Sequence, residues 1–141
     1  MSTAIRRALY GTLAGDVTLN ALLATPASGY SKAIYFQQAP QDAALPYVVF
    51  QKQAGTPTEA MGDPSAFETD VWMFKAVDQS SSADVAESIQ ARLKTLLNDA
   101  ALSISGASCL YLRRQSDVEY PETESGVRYV HAGSMFRLVT D

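Results

Sequence analysis

Hydrophobic and polar positions change period several times along this chain, and each change marks an element. From Thr3 to Ala14, Ile5, Leu9, Tyr10 and Leu13 recur at helical spacing, which predicts a helix ending near Gly15. Asp16 then stands as an N-cap for a short second turn carrying Val17, Leu19, Leu22 and Leu23, stopped by Pro26. Ala33 to Gln37 and Tyr47 to Gln53 are rich in β-branched and aromatic residues and predict strands, separated by a segment holding Pro40 and Pro46. Ala54 to Ser65, with two glycines and two prolines, reads as a mobile, exposed loop. A strand over Phe67–Val77 follows.

The pattern is most informative from Ala66 to Leu97. In Val71-Trp72-Met73-Phe74, successive side chains point to opposite faces of a sheet, so one covering layer cannot hide all four. The following segment predicts an amphipathic helix. Ser81 is its N-cap candidate with Asp84 three residues on, and Val85, Ile89, Leu93, Leu96 and Leu97 form its apolar face. Glu87, Gln90 and Lys94 sit away from that face. Asn98-Asp99 ends the helix, and strands over 107–115 and 127–139 close the chain around an acidic loop, Asp117 to Gly126. This order predicts an α+β fold, a mostly antiparallel sheet packed against one long helix and N-terminal helices. Residues 1–141 are read as one domain, a length at which roughly 70% of the unfolded surface is buried. The second face of the 71–74 strand needs cover, either from the N-terminal helices or from another subunit.

Composition narrows the function classes. Apolar residues make up 47% and charged residues 18%, a globular balance. A net charge of −4, with basic residues scattered apart from Arg6-Arg7 and Arg113-Arg114, argues against a nucleic-acid grip. A lone Cys109 excludes an internal disulfide and fits a reducing compartment. No segment reads as a signal peptide or a membrane span.

The sequence offers no active site. His131 is the only histidine, so a multi-histidine metal centre is excluded, and it reads as a strand residue rather than a catalytic base. Cys109, among Leu110, Tyr111 and Leu112, reads as an inert thiol. Asp117, Glu119, Glu122 and Glu124 lack the spacing of a calcium loop. Glycine-rich phosphate loops are absent, and Tyr111 beside Arg113 and Arg114 is a weak single-strand platform. No enzyme, cofactor or metal is expected.

Several segments in order resemble the tail-completion or tail-terminator proteins of long-tailed phages and their gene-transfer-agent relatives. They are Ala8-Leu9-Tyr10 with Asp16-Val17 and Leu22-Leu23; Ala33-Ile34-Tyr35-Phe36; Leu45-Pro46-Tyr47-Val48-Val49-Phe50; Val71-Trp72; the Ala86–Leu97 helix; and Phe136-Arg137-Leu138-Val139. The resemblance implies a structural virion protein, a homohexameric ring at the head-proximal end of the tail tube. Such a ring ends tail polymerisation and offers the head-joining surface. Its implied partners are further copies of itself, the tail tube protein and a head connector or neck protein. DNA passes through the lumen without specific binding, and no membrane is involved. The implied location is the tail of the virion, with the host cytoplasm during assembly.

Within that frame Val71, Trp72, Met73 and Phe74 are candidates for the subunit interface. Arg6 and Arg7 are candidates for intersubunit ion pairs, a solvated face being the plainer reading. Asp117, Glu119, Glu122 and Glu124 are candidates for a lumen-facing or tube-facing loop whose charge repels phosphate. Two other classes stay open: another neck or minor tail component such as a connector adaptor, and a small intracellular enzyme or ligand-binding module. A deep pocket with convergent polar groups would favour the last.

Overall fold

The computed structural model describes residues 2–60, 63–79 and 83–141, and side chains throughout these except those of residues 2, 57–60 and 63–66. The elements are α1 (Ser2–Ala14), α2 (Val17–Leu22), β1 (Ile34–Phe36), β2 (Tyr47–Ala60), β3 (Asp63–Asp78), α3 (Asp84–Leu97), β4 (Cys109–Glu124) and β5 (Val127–Thr140). The five strands form one sheet in the order β1-β2-β3-β5-β4, and only the β1–β2 pair is parallel. This is the α+β arrangement that the alternation of periods predicts.

The core lies between the helices and one face of the sheet. Ile5, Leu9 and Leu13 recur on one side of α1 and are buried together with Leu19 of α2. The sheet answers with an aromatic row: Phe50 stacks on Phe74 at 5.5 Å, and Phe74 meets Phe136 edge-on at 5.7 Å. Trp72, fully buried, and Phe36, half-buried, extend the row. Asp16 caps α2, accepting from Leu19 N at 2.7 Å, and also takes two hydrogen bonds from the Arg92 guanidinium of α3 at 2.9 and 2.7 Å. One carboxylate thus ends a helix and ties it to another. The Arg92 hydrogen bonds hold the Asp16 carboxyl below its ordinary range.

The apolar stripe of α3 is rotated from its expected position. Ala86, Ile89, Gln90, Leu93 and Leu97 are buried, whereas Val85 is exposed. Gln90, expected to point away, faces the sheet and donates to the Gly133 carbonyl at 2.6 Å. That carbonyl belongs to a tight crossing: a Cβ at position 133 would run into the Phe74 backbone oxygen and Lys75, so only glycine fits. The Ser81 N-cap expected for this helix lies outside the described residues.

Two expected loops are strands. Of the segment read as a mobile loop over 54–65, residues 54–60 and 63–65 continue the β2–β3 ladder, with Thr58 opposite Phe67 and Ala60 opposite Asp63. The acidic segment over 117–126 continues β4, paired with β5 out to Glu124 opposite Val127. Ser125 and Gly126 alone turn the chain, with φ of 52° and 79°, the two positive values that a two-residue type I′ hairpin needs.

Candidate interaction surfaces

Alternation along the strands decides which side chains reach which face. On β3, Trp72 and Phe74 turn towards the helices and are sealed at 1% and 0% exposure. Two of the four residues expected at a subunit contact are therefore consumed by the chain's own core. Val71 and Met73 turn the other way, beside Arg137 and Met135 of β5. Among the described residues, no helix packs on that second face. The loop before β2 covers one corner, where Ala27, Ala33 and Tyr35 are buried against Leu23, Ala39, Ala43 and Tyr47. Val49, Met73 and Val77 on this face are buried as well, while Val71 and Met135 are half-buried. The N-terminal helices, offered from sequence as the alternative cover, lie on the opposite side.

The acidic residues are divided in the same way. Asp117 pairs with Ser134 and Glu119 with Ala132, which puts both on the helix side, whereas Glu122 pairs with Tyr129 and Glu124 with Val127 on the open side. An irregular loop would let four carboxylates turn one way; a strand cannot. Asp117 is also neutralised. It accepts from Ser134 Oγ at 2.7 Å and from Lys94 Nζ at 2.9 Å, and Arg114 Nη1 lies 3.4 Å away. The Lys94 hydrogen bond is the main reason its carboxyl stays below the usual range. Glu119 has a different neighbour, Glu87 of α3, and their shared hydrogen bond raises the Glu87 carboxyl.

His131 has a structural setting on the open side. It is 7% exposed, its ring lies flat against Tyr120 at 4.5 Å, and its Nε2 is 3.3 Å from Glu122 Oε1. Burial pushes the imidazole pKa down and nearby Lys75 adds to this, against the opposing pull of Glu122. The Lys75 ammonium donates to Tyr120 Oη at 3.2 Å. No nucleophile is among these contacts. Among the described residues, no group of three or more His, Cys, Asp and Glu is placed to hold a metal ion, and no helix is long and apolar enough to cross a membrane.

Two of the surface grooves lie on opposite sides of the sheet. The open-side groove, about 600 Å³, runs between the 38–45 loop and the β4–β5 hairpin, and its walls include Tyr47, Val77, Glu122, Glu124, Tyr129 and His131. The helix-side groove, about 430 Å³, lies between α1 and β1, with Arg6, Arg7, Tyr10, Tyr30, Ile34 and Phe36 in its walls. Arg6 sits over the Phe36 ring at 4.8 Å, and Arg7 is exposed. Tyr10 and Ser31 hydroxyls meet at 3.3 Å across the rim. Neither groove gathers the convergent acid, base and nucleophile of a catalytic pocket.

The family described as Tail completion protein gp17 matches residues 7–141. The chain belongs to that family. The tail completion proteins are structural components of phage tails, so this chain is a virion-associated tail protein, one that works among other tail and head components and not as an enzyme. No curated relative matches in sequence. Among solved structures, a chain from a structure titled "Virion of native gene transfer agent (GTA) particle" has a TM-score of 0.70 at 18% identity, over 98% of this chain and 96% of that one. A second solved chain has a TM-score of 0.58 at 20% identity, over 98% of this chain and 95% of the other. At these identities the likeness is one of fold. It agrees with the tail-completion resemblance read from the hydrophobic spacings.

Sequence reasoning missed the Asp16–Arg92 clamp and the inward turn of Gln90. Residues 76 apart carry no mutual signal in one sequence, and a glutamine on a helix reads as surface by default. The turn at Ser125-Gly126 did carry a signal, a Ser-Gly pair between alternating runs, but the acidic residues around it masked the strand.

Proposed function

We propose that this chain closes the head-proximal end of the tail tube as a homohexameric ring, stopping tube polymerisation and presenting a surface to the head connector. The observation that carries the reading is the unequal covering of the sheet: helices fill one face, and the other keeps half-buried Val71 and Met135 and exposed Arg137 with no helix above them, among the described residues. A head-to-tail ring supplies that cover, because each copy offers one patch and receives a different one. The interface then draws on Val71 and Met73, with Arg6 and Arg7 on the far side of the subunit. Of the acidic residues, Glu119, beside Glu87, is the one suited to a channel wall that DNA slides past without specific binding. Assembly takes place in the host cytoplasm.

Electron microscopy of particles made without the protein tests this. Tails of uncontrolled length, detached from heads, are expected. Tails of normal length that fail only to join heads would move the protein to the neck, and normal joined particles would remove both roles.

A further inference from the structure

The two grooves differ in charge as well as in face. Around the helix-side groove stand Arg6 and Arg7, with Lys32 next to Ser31 on its rim; around the open-side groove stand Glu122 and Glu124, with Asp42 between Gln41 and Ala43. Most basic side chains elsewhere are engaged within the chain: Arg92 by Asp16, Lys94 and Arg114 by Asp117, Arg113 by Asp99. Arg7 and Glu124 have no ion-pair partner among the described residues. The open-side groove also holds an unmet acceptor. With the Nε2–H of His131 donating to Glu122, the buried Nδ1 has no donor.

We propose that the helix-side groove of one copy docks on the open-side groove of the next, with Arg7 facing Glu124 and the α1 surface laid over the open sheet face beside it. The occupant is a second copy of this chain, selected by charge complementarity. The two patches lie on opposite faces of one sheet, so the contact is heterologous and propagates from copy to copy. N–H donors from the arginines match the exposed carboxylates of Glu122 and Glu124 in the groove wall. This proposal rests on the ring reading and supplies its contact. The cation–π seat of Arg6 on Phe36 keeps that guanidinium at the groove mouth, so little side-chain freedom is lost on docking.

The test uses assembled tails carrying Cys109→Ser with Arg7→Cys and Glu124→Cys, treated with a short bismaleimide. A denaturing gel is expected to show a ladder of covalently joined subunits, whereas either single-cysteine chain stops at the dimer. No ladder from the double-cysteine chain overturns the proposal. A charge exchange adds a second reading: Arg7→Glu and Glu124→Lys each lower the yield of head-joined tails about tenfold or more, and the two combined restore most of it. Single variants as productive as the parent, or a combination no better than either, overturn it as well. A ladder from tails whose length does not depend on the protein would leave this contact standing and remove the terminator role.

Discussion

On the helix side of the sheet, Phe50, Trp72, Phe74 and Phe136 pack ring against ring beneath α1 and α3; on the other side, Val71, Met73 and Met135 share a surface with Lys75 and Arg137. Both faces belong to the same strands, and neighbouring residues in one tetrapeptide end in opposite environments. The helix side holds the larger of the two buried core clusters. The open side carries features that add little to an isolated subunit: a stacked Tyr120–His131 pair, unpaired charges and a wide groove. Phenylalanine and tryptophan pack beneath the helices, whereas Val71, Met135 and Arg137 line the face to which the proposed ring assigns a neighbour.

Substitutions sharpen the contrast, beginning with the largest effect. Phe74→Ala opens a cavity in the aromatic row and is expected to cost about 3–5 kcal/mol by urea unfolding. Asp16→Ala removes both the α2 cap and the tie to α3, an expected loss of about 1–2 kcal/mol in the same measurement. Gln90→Leu leaves the Gly133 carbonyl without its donor and is expected to cost about 1 kcal/mol. Val71→Ser on the open side should change unfolding by no more than about 0.5–1 kcal/mol while lowering the yield of head-joined tails. If Val71→Ser destabilised the free chain as much as Phe74→Ala, the two faces would be equivalent and the contrast would fail.

Acid should act on named groups. Asp16 and Asp117 release their protons more readily folded than unfolded, so the stability they contribute is complete above the unfolded value of 3.8 and is lost as pH falls through their lower folded values. His131 works in the same direction from higher pH: its folded imidazole resists protonation, so stability declines once pH drops below the unfolded value of 6.5. Asp70 opposes them. Burial raises its carboxyl, with Lys52 Nζ at 3.4 Å only partly offsetting this, so its contribution weakens as pH rises. A pH series of urea midpoints for the parent and Asp16→Asn checks the sign: the variant should lose less stability on acidification.

The sequence made the helix side legible because period and chemistry agree there. Ile5, Leu9 and Leu13, or Ile89, Leu93 and Leu97, report a buried stripe without knowledge of the partner. The strand arms were harder. Residues 54–60 and 117–124 are polar or rich in turn formers, yet hairpin ladders satisfy their backbones whatever the side chains are, so the strands outrun their hydrophobic signal. The same error produced the acidic loop: a run of carboxylates looked like one surface, and the pleat divided it between two. The grooves depend on which loops meet in space, and periodicity is silent on that.

The most direct test of a neighbour covering the open face is maleimide labelling of Val71→Cys in a Cys109→Ser background, compared between the free chain and intact tails. The thiol should react in the free chain and be protected in the tail. Equal labelling in both would show that the face stays bare and that nothing docks there.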